Sequence, residues 1–309
     1  MRIEKEPSGS RNRDKSLYFT KSCRDAVKQI LSMNSGERRI LLPAYVGLSL
    51  EEGSGILDPV KESNSKFCFY EVNSQLDPDL NSLKSMITSF TPSHVLVVNY
   101  FGYLMSNRKA VFQLLSEYQV CVIEDFAHLI EPLRSHKEIS MLAHYEVFSL
   151  HKTMGAGMGG GAVLCESSEE SFDENISDSS LKLLGKSDMN YISDLRWQNY
   201  IYLESRLNTD HSEIFTPFFS DRRAPVLPLN FPIRFPNRET RHAMYTALID
   251  AGIFPTSLYH RLVPEINIEN YPLSIQISQT ILNLPIHQDV DIDKINILLE
   301  VVRKFCDEK

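Results

Sequence analysis

The sequence predicts an α/β protein: a three-layer αβα major domain on residues 1–207, with an N-terminal arm and a linking helix, then a smaller α+β domain on residues 208–309. Two observations carry this reading. Apolar strand patterns alternate with amphipathic helical patterns from residue 22 to residue 165, which calls for a parallel sheet covered on both faces. Beyond an acidic, serine-rich tract at 166–190 the pattern changes to helices separated by short, proline-punctuated strand segments.

In chain order, SCRDAVKQILSM (22–33) sets Ala26, Val27, Ile30 and Leu31 on one helical face behind a polar start. RRILLPAY (38–45) reads as a strand stopped by Pro43, and SKFCFYEV (65–72) as a second strand. LDPDLNSLKSMI then opens a helix with Asp77 as its cap and Pro78 at its first position. SHVLVVNYFG (93–102) is a buried strand ending at Asn99, followed by the amphipathic helix NRKAVFQLLSEYQ and the strand VCVIED (120–125). YEVFS and GGAVLC are two further strands, joined through the glycine-rich turn GAGMG. The tract 166–190, including the acidic run Glu166 to Glu174, reads as a mobile surface connection, and SDLRWQNYIYLESRL (193–207) as the linking helix. APVLPLNFPIRF (224–235) reads, with its prolines, as an edge strand of the second domain. RETRHAMYTALIDAGI (238–253) is a helix closed by Gly252, SQTILNLPIH a helix running into a short strand, and DIDKINILLEVVRKF (291–305) a final helix capped by aspartate.

Several function classes are disfavoured. A net charge of −8 without a clustered basic patch argues against a nucleic-acid partner. The first sixteen residues have no apolar core of the kind a signal peptide needs, and no stretch reaches the ~18 to 20 apolar residues of a membrane span. The five cysteines, Cys23, Cys68, Cys121, Cys165 and Cys306, are odd in number and widely spaced, which favours a reducing cytoplasm over a disulfide framework. No CxxC pair or HExxH helix offers a metal site.

The chemistry gathers at strand ends. Lys152 follows YEVFS just beyond a strand, where α/β proteins keep their reactive groups, with Ser149 three residues before it and His151 adjoining. Asp125 ends an apolar strand and needs a positive or hydrogen-bonding partner there. His128 lies three residues on, and Asn99 ends a strand upstream. An amine and a carboxylate so placed suit pyridoxal phosphate, which requires a lysine for a Schiff base and a carboxylate beside its pyridine nitrogen. Lys152 and Asp125 fit those roles. Ser149 and the helix start at Ser22, Cys23 and Arg24 are candidates for the phosphate, through hydroxyls, free backbone N–H groups and the helix dipole. Asn99 and His128 are candidates for the phenolic oxygen, and Ala127 with Tyr45 for the face of the ring.

These segments, in order, resemble the fold type I pyridoxal-phosphate enzymes of the aspartate aminotransferase superfamily, and within them the DegT/DnrJ/EryC1/StrS sugar aminotransferases. The resemblance is carried by SCRDAVKQIL, ILLPAYVGLSL, FYEVNSQLDPDLNSLKSMI, VLVVNYFGY, VIEDFAHLI, VFSLHKTMGAGMGGGAVL and LNLPIHQDV. It implies catalytic roles for Lys152, Asp125 and His128, with Asp125 at the pyridine nitrogen and His128 at the oxygen-binding position. It also implies a cytoplasmic homodimer that transfers an amino group, with glutamate as donor, to a nucleotide-linked keto sugar in polysaccharide or secondary-metabolite biosynthesis. His151, His260 and His287 are candidates for the substrate side of the site, although packing or surface exposure is the commoner fate of a histidine. Asn190 is the candidate for the family's phosphate-binding asparagine. The chain departs from the family pattern in its short stretch between Cys165 and Arg196, and in Cys23, where glycine or threonine is common.

Other readings stay open. Another pyridoxal-phosphate reaction, such as dehydration or elimination, uses the same constellation, although related sugar dehydratases replace the lysine by histidine. A shortened member that only binds is a third reading. Gly155, Gly157 and Gly160 satisfy GxGxxG, but that fingerprint requires a helix after the glycines and AVLCE reads as a strand. Trp197 and Tyr200 read as core or dimer contacts.

Overall fold

The computed structural model describes residues 16–33, 36–48, 55–129, 141–154, 159–165, 171–207, 214–219, 225–256 and 258–308. The elements run β1 (Ser16–Thr20), α1 (Cys23–Met33), β2 (Arg39–Pro43), α2 (Leu57–Glu62), β3 (Lys66–Tyr70), α3 (Leu80–Phe90), β4 (His94–Val98), α4 (Arg108–Leu115), β5 (Cys121–Phe126), β6 (Tyr145–Ser149), α5 (His151–Met154) and β7 (Gly161–Cys165). They continue with α6 (Asp178–Lys186), α7 (Met189–Arg206), β8 (Thr216–Pro217), β9 (Phe231–Arg234), α8 (Arg238–Asp250), α9 (Pro272–Thr280), β10 (Ile281–Leu284) and α10 (Ile292–Asp307).

A seven-stranded sheet in the order β1-β7-β6-β5-β4-β2-β3 dominates the fold, as the alternating pattern predicts. Strands β3, β2, β4, β5 and β6 are parallel, and β7 lies antiparallel to both β6 and β1. β4, β6 and β7 are buried along their whole length, which explains why they read as unbroken apolar runs. Helix α1 packs against α2, β6 and β7, while α3 lies over β2 and β3. The register pairs Val98 with Asp125 and Phe126 with Phe148, so the carboxyl ends of β4, β5 and β6 fall at one edge. Among the described residues no helix is long and apolar enough to cross a membrane, and no cluster of His, Cys, Asp or Glu is arranged to hold a metal ion.

Four local expectations are corrected. Asp77 does not cap α3: Asp79 does, accepting from Ser82 N, while the Asp77 carboxylate is drawn to Ser106, whose backbone N–H and hydroxyl both donate to it. β1 went unread because its alternation of partly buried residues is short and merges with a polar leader. The 166–190 tract is not simply a surface connection: α6 and the start of α7 fall in it, and the buried Phe172 packs on Tyr18 and Tyr145. β9 is the middle strand of the second sheet, β10-β9-β8, not an edge. Its Pro232 is tolerated because Phe218 N donates to Pro232 O, so the missing N–H also faces β8, a strand of two residues. The expected cap at Asp291 and closing residue Gly252, with φ of +78°, are present. Residues after Gly160 form β7 rather than a helix, which removes the dinucleotide reading; Gly155 and Gly157, and Glu166 to Glu170, lie outside the described residues.

The end of β4 holds the segment that follows residue 224. Phe101 and Gly102 both take positive φ, +58° and +91°, and their carbonyls accept from Leu229 N and Val226 N. A Cβ on Gly102 would lie 2.0 Å from Leu227 O, a backbone atom with no room to yield. Gly102→Ala is therefore expected to lower the unfolding free energy by about 2 kcal/mol or more, read as a lower urea midpoint at unchanged slope.

Candidate active site

The strand ends enclose a cavity of about 370 Å³. It is lined by Ser22, Cys23 and Arg24 from the start of α1, by Asp125, Ala127 and His128 from the end of β5, and by Ser149, His151 and Lys152 from the end of β6. Nine residues singled out from the sequence thus come together from three separate stretches of chain.

Each is aimed by local structure. Asp125 is 5% exposed, and its Oδ1 accepts from Ala127 N at 2.6 Å. Burial nevertheless raises its carboxyl pKa, with the Ala127 hydrogen bond and the positive charge of Lys152 pulling the other way. Lys152 occupies the single turn α5, and burial of its amine lowers its pKa; Asp125 and Cys23 oppose the shift, and Arg24 adds to it. Both groups therefore lie nearer their neutral forms than in water, and each helps to keep the other charged. Cys23 is pushed well above the ordinary thiol value by burial first and by Asp125 second, so it stands as a neutral thiol.

His128 is held by strained backbone. Phe101 N donates to His128 Nδ1 at 3.2 Å, and the Phe101 ring stacks on the imidazole at 5.9 Å and 17°. An amide can only donate, so Nδ1 is the acceptor and the proton of the neutral ring sits on Nε2. Burial, reinforced by Lys152, drives the imidazole pKa well below its usual value and keeps it neutral. At the rim, Ser149 Oγ lies 3.0 Å from Nδ1 of the exposed His151.

The α1 end supplies an anion cradle. Asp25 N donates to Ser22 Oγ and Ala26 N to Ser22 O, leaving the N–H groups of Cys23 and Arg24 ahead of the first intrahelical bond. A Cβ on Gly161 would lie 2.4 Å from Cys23 N, so only glycine lets β7 press this close to the helix start. The Arg24 guanidinium is turned to Asp58 at 3.1 Å, which leaves its backbone as the part directed at an anion. Amine, buried carboxylate, neutral imidazole and N-terminal cradle together fit pyridoxal phosphate.

The structure keeps five of the candidate residues, Asn99, Tyr45, Asn190, His260 and His287, out of the cavity lining. Asn99 is fully buried, but Nδ2 donates to Glu124 Oε1 at 2.9 Å and Oδ1 accepts from Met105 N, so its amide is committed to the opposite face of β5, where Arg108 also clasps Glu124. Tyr45 is core: its hydroxyl accepts from Tyr259 N at 2.9 Å, and Tyr259 is the aromatic that lines the cavity. The sequence held no signal for Tyr259, since SLYHR has no periodicity to place it. His260 stands 3.3 Å from Arg241 Nη1 and edge-on to Tyr245, with burial taking its pKa down to about 3. His287 faces Asp289 at 3.4 Å. Asn190 is exposed in the first turn of α7, and Trp197 and Tyr200 pack on one another, Tyr200 also on Phe231.

A half-buried lysine and a buried aspartate thus stand together at the carboxyl edge of this sheet. Residues 54–200 match the model of the DegT/DnrJ/EryC1/StrS aminotransferase family. Among solved structures, the putative sugar aminotransferase Spr1654 of Streptococcus pneumoniae in its PMP form superposes with a TM-score of 0.77 at 14% identity, over 94% of this chain and 88% of that one. PseC of Helicobacter pylori, an aminotransferase involved in the biosynthesis of pseudoaminic acid, gives 0.73 at 15% identity over 96% and 87%. The sugar aminotransferase CalS13 of Micromonospora echinospora gives 0.69 at 14% over 93% and 87%. At these identities the likeness is one of fold. No curated protein matches the sequence.

The raised pKa of Asp125 fixes a pH dependence. A carboxyl whose folded pKa lies above its unfolded value binds more protons folded than unfolded, so the chain loses stability as pH rises through that window. Asp125→Asn removes this loss. In the absence of cofactor the variant is expected to melt at a higher temperature than wild type at pH 7, with the gap closing as pH falls toward about 4; calorimetry at both pH values checks it.

Proposed function

We propose that the protein transfers an amino group between an amino acid, glutamate by family resemblance, and a keto sugar carried on a nucleotide, working as a cytoplasmic homodimer. The observation that carries this reading is the convergence of Lys152 and Asp125 on one cavity at the N-terminus of α1.

When bound, pyridoxal phosphate supplies a carbonyl to which the amino group is attached and a ring that accepts the electrons released at the substrate carbon. The residues of this chain prepare the site for it. Lys152, its pKa lowered by burial, presents a free amine fraction for attachment and, once released, a base that carries the proton to and from the reacting carbon. Asp125, buried and close to Lys152, holds a proton donor opposite its carboxylate in the charged state. His128 offers Nε2–H as a neutral donor toward an oxygen. The Ser22 and Ser149 hydroxyls and the N–H groups of Cys23 and Arg24 would donate hydrogen bonds to a phosphate at the positive end of the helix dipole. Spr1654 is described as a putative sugar aminotransferase and CalS13 as a sugar aminotransferase, which supports the choice of a sugar acceptor here.

The purified chain mixed with pyridoxal phosphate is expected to show a visible absorbance band that borohydride fixes covalently, and Lys152→Ala is expected to show none. With glutamate and a panel of nucleotide-linked keto sugars, wild type should form an amino sugar, and Asp125→Asn should lose at least about 100-fold in kcat/KM. Absence of the band in both proteins would remove the enzymatic reading, and an active Asp125→Asn would remove that carboxylate from the mechanism.

A further inference from the structure

Arg196 lies in α7 with 2% of its surface exposed, and its guanidinium is spent on main-chain carbonyls and one amide rather than on a carboxylate. Nη2 donates to the carbonyls of Lys152 at 3.4 Å and Thr153 at 3.1 Å. Nη1 donates to the carbonyls of Pro228 at 3.3 Å and Leu229 at 3.2 Å, and Nε to Gln288 Oε1 at 2.9 Å. Gln288 turns its own Nε2 on the Thr153 carbonyl at 3.1 Å. Three stretches of chain, 152–153, 228–229 and 288, are thus fastened by one side chain.

The object of this clamp is the turn that carries the reactive amine. α5 is described over four residues, and the carbonyls of Lys152 and Thr153 are met by donors from outside it. Fixing the carbonyls of Lys152 and Thr153 fixes the peptide planes on either side of Thr153 and the direction in which Lys152 leaves the backbone. Only the planar fork of arginine, with five donors, reaches all three stretches at once. Burial lowers the Arg196 pKa to about 10, with Asp289 opposing, and a charge is kept in such a place only when its donors are all used.

We propose that Arg196, with Gln288, is the positioning residue for Lys152, holding the lysine's own turn so that its amine stays in the cavity. The proposal rests on the reading of Lys152 as the reactive amine. Arg196 acts through the main chain: the groups that face the amine are Asp125 from β5, Cys23 and Arg24 from α1, His128 from the loop after β5, and His151 beside it. A lysine at 196 keeps the charge but cannot reproduce the fork, so it should not rescue.

Competitive acetylation of the whole chain across pH, read lysine by lysine by peptide mass spectrometry, reports Lys152 without cofactor or substrate. In Arg196→Met and Arg196→Lys alike the Lys152 midpoint is expected to rise by about one pH unit as the amine gains water. Gln288→Leu should move it the same way by a smaller step, and it decides the matter where the Arg196 variants do not fold. A wild-type Lys152 midpoint in folded variants overturns the proposal, as does a wild-type midpoint in Arg196→Lys alone, which would assign the role to charge. Adding pyridoxal phosphate and borohydride keeps the two readings separate: a missing adduct in wild type overturns the functional reading, while a shifted midpoint still upholds the clamp.

Discussion

Everything at this site follows from placing an amine and a carboxylate together out of water. Burial works against both charges, raising Asp125 and lowering Lys152, while their mutual attraction, the Ala127 hydrogen bond on Asp125 and Cys23 beside Lys152 work the other way. Such a pair is poor value for stability, since its desolvation offsets most of the Coulombic gain. It survives because strong elements hold its members. β5 and β6 are parallel neighbours in the buried middle of the sheet, and their register brings the residue after each strand to the same edge.

Two neighbours of the pair add no charge. Cys23 is kept as a thiol by burial, and His128 is kept neutral by burial and by the Phe101 N–H on its Nδ1. That N–H points at the ring because Phe101 adopts a left-handed conformation, which costs a non-glycine residue of order 1 kcal/mol or more. The cost is offset by what the bend secures: carbonyls of Phe101 and Gly102 tie down residues 226 and 229, and those residues flank the carbonyls that Arg196 grips. Backbone strain beside the imidazole and anchorage of the lysine turn are thereby linked through one short segment.

The parts of the fold legible in sequence were those governed by period and by strand ends. β4, β5, β6 and β7 read as apolar runs because they are buried on both faces, and the polar residues just beyond β5 and β6 stood out against them. The same rule misled at Asn99, which also follows a strand but turns to Glu124 and Met105 on the other side of the sheet. Position at a strand end fixes which edge a residue occupies, not which face it serves. β9 misled in the other direction, since its proline suggested an edge while the partner on that side is only two residues long. Tyr259 and Arg196 were illegible because what brings them to the site is long-range packing between residues 45 and 259, and between 153 and 196.

These two classes of residue carry different physical demands. A side chain that faces the cavity must have a particular chemistry, so its type is informative even when read alone. A side chain that holds a main-chain carbonyl needs only reach, donors and burial, and in sequence it looks like any helix residue. Arg196 meets that description, lying among Ile192, Asn199 and Leu203 on the buried face of α7. Asn199 does similar work one turn on, its Nδ2 donating to the carbonyls of Ile286, His287 and Val290. One helix face thus fastens both the lysine turn and the 286–290 segment that bears Gln288, so the position of the amine depends on a helix that contributes no residue to the lining of its cavity.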